Sequence, residues 1–176
     1  HRNGYAGLEM NLELVKAILV LPGTALVYVP GAILWMSAQW GLAPNLPDPG
    51  RPRFWAALVL GVAGLAFAVW TTHLFRVIGK GTPGPWAPPS RLVVRGPYRH
   101  VRNPMITGVL LVLAAESLML GSWPIAGWML LFFLGNAIYF PMVEEPALTK
   151  KFGSPYRRYQ ANVPRWIPRW RPWEGL

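Results

Sequence analysis

Residues 105–143 read MITGVLLVLAAESLMLGSWPIAGWMLLFFLGNAIYFPMV, with Glu116 as the one charged residue. Two apolar runs, Met105 to Leu120 and Pro124 to Val143, are separated only by Gly121, Ser122 and Trp123. A connection that short forces consecutive helices into an antiparallel hairpin, and runs of this length and composition belong in the roughly 30 Å hydrocarbon layer of a bilayer. The stretch therefore predicts two membrane spans, the first of them short.

Two further runs lie upstream. Residues 17–38 are uncharged and long enough to cross, although Pro22 and Pro30 predict kinks. Residues 54–75 are equally long and carry Ala57, Gly61, Gly64 and Ala68, small residues that allow close helix packing in lipid. The expected fold class is all-α, a polytopic transmembrane bundle of about four spans and at most five, formed by a single domain over residues 1–176. Composition agrees: 53% of the residues are apolar and only 14% charged, whereas soluble domains average about a quarter charged. The absence of Cys excludes thiolate metal sites, disulfides and a cysteine nucleophile. No cleavable signal peptide is expected, because the first run is as long as a span and has no small-residue cleavage site behind it.

The net charge of +10 is distributed between the apolar runs rather than along one exposed face, so lipid headgroups or an anionic ligand fit it better than nucleic acid. Residues 76–104 hold six Lys and Arg and the segment after Val143 holds seven, against two in residues 39–53 and none in the 121–123 turn. Positively charged short loops stay cytoplasmic, which predicts both termini on that side. Residues 79–89, rich in Gly and Pro, predict an extended loop able to lie over a ligand. Leu148, Phe152, Tyr156, Tyr159 and Val163 recur at helical spacing, broken by Gly153-Ser154-Pro155 as C-cap, N-cap and N1 proline. They predict two short amphipathic interfacial helices. Residues 164–173 mix Trp and Arg in the manner of interfacial anchors, with no catalytic part expected.

Of the seven acidic residues, Glu144 and Glu145 are adjacent at the predicted end of the fourth span. Paired carboxylates at a helix C-terminus repel each other and oppose the dipole, so a cation is expected beside them: an arginine such as Arg99 or Arg102, or a cationic ligand. Across from them, by the predicted topology, lies Gly96-Pro97-Tyr98-Arg99-His100-Val101-Arg102-Asn103-Pro104-Met105-Ile106-Thr107-Gly108. This segment resembles the signature of the isoprenylcysteine carboxyl methyltransferase and phospholipid methyltransferase superfamily, in which Gly-x-Tyr precedes Arg-His-Pro-x-Tyr-x-Gly and bacterial members often carry Arg-Asn-Pro. Glu144-Glu145, Phe152-Gly153, Tyr156, Tyr159 and Val163-Pro164 are similar to that superfamily's downstream series. Each block alone is a weak signal; their order and spacing are specific.

The resemblance implies methyl transfer from S-adenosylmethionine to a lipophilic acceptor taken from the bilayer, with a cofactor region over residues 79–168 and no metal. Tyr98, Arg102, Asn103, Pro104, Ile106, Gly108, Glu144 and Glu145 are the implied cofactor-binding residues. Carboxylates suit a sulfonium and an ammonium, and backbone N–H groups opening the third span suit the donor's own carboxylate. Methyl transfer is an in-line displacement that needs positioning and exclusion of water. Should the acceptor have to release a proton, Glu145, His100 and Tyr156 are the candidates to assist. An amine, a hydrophobic carboxylate, and a thiol or phenol all stay open as acceptors. Asn103 and Ile106 depart from the commoner histidine and tyrosine. Asn162 stands where some carboxyl methyltransferases place a basic residue, which argues against a prenylcysteine carboxylate.

Other polar residues have plainer readings. Glu116, about three turns into the third span, is read as protonated or paired with Ser117 or Asn136. His73 is read as a packed interfacial residue, and Trp70, Phe132 and Phe133 as lipid-facing or core packing. The competing function class is a non-catalytic transporter or assembly protein with Glu116 and Asn136 marking a polar path. A sterol-reductase-like enzyme is disfavoured by the small number of spans.

Overall fold

The computed structural model describes residues 19–80 and 89–175, together with Leu12, Val15 and Lys16. Residues 17 and 18 of the first predicted span and most of the Gly- and Pro-rich loop, 81–88, lie outside the described residues. Among the described residues there is no strand, and the architecture is an all-α membrane bundle of five helices: α1 Leu19–Gln39, α2 Pro52–Val77, α3 Pro104–Leu120, α4 Trp123–Phe152 and α5 Ser154–Asn162. The helices α1, α2 and α4 are long and apolar enough to cross a membrane. At 17 residues α3 extends about 25 Å, short of a full crossing, as expected for the third run.

The centre of the bundle is the crossing of α2 and α3. A Cβ on Gly64 would lie 2.8 Å from the Gly108 carbonyl oxygen, and one on Gly108 would lie 3.0 Å from that of Gly64. Gly61 faces Ala115 while Ala68 faces Gly108, so the helices run antiparallel in backbone contact. Lipid supplies no hydrophobic force between helices, and close approach through small residues replaces it. On the other side of α3, Val109 and Leu113 form a core with Ala25 of α1, flanked by Trp128, Met129 and Phe132 of α4. The Trp128 indole N–H donates to the Ala25 carbonyl at 2.9 Å.

One prediction about a helix end needs correction, and both spans with internal prolines carry a π-turn. Pro30 is accommodated by a π-turn over Thr24–Tyr28, where the Val29 N–H reaches back to the Thr24 carbonyl and the helix continues. Pro141 lies within a π-turn of its own: Phe140–Glu144 is closed by the Glu145 N–H on the Phe140 carbonyl, and the helix continues. The fourth span therefore does not stop at Val143 but runs unbroken to Phe152, and Glu144 and Glu145 lie inside a helix rather than at its C-terminus. A π-turn shifts the hydrogen-bond register by one residue, which lets the ladder step past a proline with no N–H. The break after it is at Gly153, with φ of 64°, as expected, and it divides the amphipathic stretch into Glu145–Phe152, which continues α4, and the short helix α5. Its first residue is Ser154, preceded by Gly153 in place of the predicted serine cap, and no side chain caps it.

At one end the chain is closed by Gly121, left-handed at φ 59°, and by the 39–53 loop, where Asn45 N–H donates to the Leu120 carbonyl and Arg53 donates to the Asn45 carbonyl. The 96–104 segment, Glu145 and α5 gather at the opposite end.

Candidate functional site

A 3-10 turn over Gly96–Arg99 leads into α3. Gly96 has a φ of 54°, and a Cβ there would press on Trp70 at 3.0 Å, so glycine meets both the torsional and the steric demand. The turn is fixed by Tyr98 N–H on the Arg95 carbonyl and by His100 and Val101 N–H on that of Pro97. Tyr98 is buried beside Phe75, and its carbonyl accepts the Tyr159 hydroxyl at 2.7 Å. Arg102 N–H donates to the Pro164 carbonyl, which ties the turn to the chain beyond α5.

From this anchored backbone Arg102 Nη1 reaches Glu145 Oε1 at 2.7 Å, joining the loop that enters α3 to the helix α4. Glu145 is buried, and its two oxygens accept three more bonds: Arg165 Nε at 2.7 Å, Arg165 Nη2 at 2.9 Å and Gln160 Nε2 at 2.7 Å. A carboxylate held by two guanidiniums and an amide is electrostatically satisfied and has no capacity left for a cationic ligand. Its neighbour differs. Glu144 is half-buried and has no hydrogen-bond or ion-pair partner among the described residues.

Glu144 nevertheless faces this cluster. Burial pushes the Tyr98 phenol well above its ordinary value, and the charges of Tyr159 and Glu144 add to the shift. The Tyr156 phenol is pushed up to about 12, chiefly by burial and then by Glu145, with Glu144 contributing and Arg102 opposing. Tyr156 thus keeps its proton at neutral pH, so its chemistry there is hydrogen-bond donation. Burial also raises Tyr159. Tyr156, Tyr159 and Val163 form a closed apolar cluster with Leu148, Phe152 and Trp173 that seats α5 under the turn.

Two buried donors at the entry to α3 have no partner. The Nδ2 of Asn103, at the N-cap position of α3, and the Nε of Arg102 make no hydrogen bond. Asn103 is buried yet makes no capping bond; its carbonyl instead receives the Thr107 N–H and hydroxyl. Buried donors are almost always paired, and unpaired ones call for an explanation. Here they stand at the N-terminus of a 17-residue helix, where unsatisfied N–H groups favour an anion. Pro104, fully buried, occupies the first turn, where its missing N–H costs nothing.

The remaining sequence candidates are placed as follows. Gly108 is buried against Gly64, where its part is backbone packing. Ile106 is half-buried on the first turns of α3. His100 is half-buried, with Nδ1 at 2.9 Å from the Arg169 carbonyl. His73 is exposed on α2 rather than packed. Glu116 pairs with neither expected partner: Ser117 donates to the Ser122 carbonyl, Asn136 to that of Phe132, and Glu116 Oε2 is buried alone.

Residues 164–173 depart furthest from expectation. Read as a membrane anchor, this segment folds back over the 96–102 turn: Arg169 N–H donates to the His100 carbonyl, Trp173 N–H to that of Arg99, and Arg99 donates to the Trp173 carbonyl and pairs with Glu174. Trp166 packs edge-on against Phe133 and Phe140 of α4. Ile167 and Trp170 project outward, at 80% and 97% exposure, and suit an interfacial role. Arg165 and Gln160, which complete the Glu145 cluster, carry no periodicity or spacing signal. The one hint is that Arg165 directly follows Val163-Pro164.

The sequence model of the phospholipid methyltransferase family matches residues 52–155, from the start of α2 to the start of α5. No curated protein and no solved structure matches the chain. The match covers more than half of the chain, which belongs to the phospholipid methyltransferase family and is an integral membrane methyltransferase.

Proposed function

We propose that this member of the phospholipid methyltransferase family transfers a methyl group from S-adenosylmethionine to a lipophilic acceptor at the membrane face that carries the 96–104 turn. The observation that supports this most is the 2.7 Å contact between Arg102 and Glu145, which unites the turn entering α3 with the acidic pair of α4. The donor set fits the cofactor. Glu144, the half-buried carboxylate without a partner, is the group for its ammonium and sulfonium charges. Asn103 Nδ2 and the N-terminal N–H groups of α3 are donors for its carboxylate. The cofactor supplies an electrophilic methyl group when bound; the protein's contribution is position, dryness and charge. Glu145 acts indirectly, by holding Arg102 and Arg165 in place.

His100 is the proton acceptor in this reading. A carbonyl only accepts, so the bond to Arg169 places the proton on Nδ1 and leaves the Nε2 lone pair available in the neutral ring. Tyr156, fixed in its protonated form, orients rather than abstracts. The asymmetry of basic residues supports a cytoplasmic position for this end and for both termini. The test is incubation of purified protein with methyl-labelled S-adenosylmethionine and a membrane lipid extract. Label entering the organic phase with wild type, and not with Glu144→Gln, is the expected result; no transfer with wild type rejects the proposal.

A further inference from the structure

Residues 39–53 hold two basic residues, at the end of the bundle that the charge asymmetry leaves poor in them, and both line one cavity. Arg51 and Arg53 flank Pro52 at the start of α2, and Asn45, Leu46 and Asp48 of the 39–53 loop share with them the lining of a space of about 430 Å³. That volume is within the range of sites for small polar ligands. The loop is held in shape by its own bonds: Asn45 N–H donates to the Leu120 carbonyl, Arg51 N–H to that of Asp48, Gly50 N–H to Asp48 Oδ1 and the Trp55 indole N–H to the Pro49 carbonyl. The cavity lies at the end opposite the 96–104 turn and shares no residue with the candidate site described above.

The three charged groups of the lining are not spent on one another. Among the described residues neither the Arg51 guanidinium nor the Asp48 carboxylate forms an ion pair, and Asp48 accepts a single bond, from Gly50. Arg53 gives Nη2 to the Asn45 carbonyl at 2.7 Å, while its buried Nε has no acceptor. Buried donors are nearly always paired, so an oxygen is wanted there. Guanidinium forks match phosphate oxygens, and two of them on one cavity make a phosphate site. A carboxylate with a free oxygen in the same lining attracts a cationic group and opposes a second negative charge. The ligand that suits all three carries one phosphate and one positively charged nitrogen.

Trp40, Trp55 and Trp123 stand exposed at this end, just past α1 and on the first turns of α2 and α4. Tryptophan gathers at the boundary between hydrocarbon and water, so the three set the cavity at headgroup depth. Leu46, also exposed, gives the lining an apolar edge. We infer that this cavity binds the headgroup of a zwitterionic phospholipid of the leaflet at this end, with its phosphate on Arg51 and Arg53 and its cationic nitrogen toward Asp48. The lipid is held rather than consumed, and it ties the 39–53 loop and the start of α2 into the leaflet remote from the methyl-transfer end.

Native mass spectrometry of the purified protein in detergent, titrated with phosphatidylcholine and with phosphatidylglycerol of the same acyl chains, tests this. The choline nitrogen is already fully methylated, so the probe is not itself a nitrogen acceptor. Wild type should bind a first phosphatidylcholine about tenfold more tightly than phosphatidylglycerol. Arg51→Gln, at an exposed position whose side chain has no partner among the described residues, should remove that step without altering thermal unfolding. Asp48→Asn should keep a first lipid and lose the preference for choline. Absence of a preferred first lipid in wild type overturns the inference, as does its persistence in both Arg51→Gln and Arg53→Gln. Displacement of the lipid by inorganic phosphate also overturns it, because the occupant would then be a soluble anion.

Discussion

Glu144 and Glu145 are chemically identical neighbours with opposite surroundings. Glu145 is encircled by Arg102, Arg165 and Gln160, and removing its charge strands two guanidiniums, of which Arg102 is nearly buried. Glu145→Gln should therefore cost about 2–4 kcal/mol of stability, with the partial exposure of Arg165 lowering the figure. Chemical unfolding in detergent measures it, and a loss below about 0.5 kcal/mol would contradict the geometry. Arg165→Lys should not restore wild-type stability, since an ammonium cannot reproduce the Nε and Nη2 fork on both oxygens. Tyr156 gives a pH prediction. Its folded value of about 12 lies above the ordinary 10.0, so the stability it lends is complete below pH 10 and fades as pH rises toward 12. Alkaline unfolding of Tyr156→Phe should accordingly be less steep over that interval than that of wild type, and identical curves would count against the burial argument. The sequence marked the acidic pair, the Arg-Asn-Pro segment and both tyrosines. It could not tell which glutamate is satisfied, because that depends on Arg165, a residue whose position is set by the reversal of the chain after α5.

At the scale of elements, the apolar runs were legible because hydrocarbon admits few ways to satisfy a backbone, and the helix is the simplest. Gly61, Gly64 and Ala68 correctly marked the face of α2 that meets α3, and Ala57 is buried as well. Gly64→Ala would push a Cβ to 2.8 Å from the Gly108 carbonyl and 2.9 Å from the Val112 amide, both backbone atoms unable to yield without moving a helix. A destabilisation of about 1–3 kcal/mol is expected, whereas Gly127→Ala, with nothing within 4 Å, should be neutral. Equal effects of the two substitutions on thermal unfolding would refute the crossing. Helix ends were less legible. Proline ordinarily stops or kinks a helix, and the π-turns that carry α1 past Pro30 and α4 past Pro141 leave no compositional trace. Residues 164–173 were only partly legible for a related reason: Trp and Arg serve equally as interfacial anchors and as packing and pairing groups, and Trp166 and Arg165 do the latter while Trp170 remains exposed.

At the scale of the molecule, α3 and α4 bring the candidate site residues to one end, and among the described residues the opposite end holds the 39–53 loop and the Gly121 turn. This convergence supports a site at a membrane surface, with a soluble donor approaching from one side and a hydrocarbon chain from the other. Among the described residues Asn136 bonds to its own helix and Glu116 Oε2 has no partner, so the two are not joined into a polar path. The central claim is that Glu144 is the carboxylate kept open for a cationic methyl donor. Calorimetric titration with S-adenosylhomocysteine, whose ammonium that carboxylate would hold, tests it most directly. Wild type should bind, and Glu144→Gln should bind about tenfold or more weakly without loss of stability; unchanged affinity in both Glu144→Gln and Glu145→Gln would contradict the account.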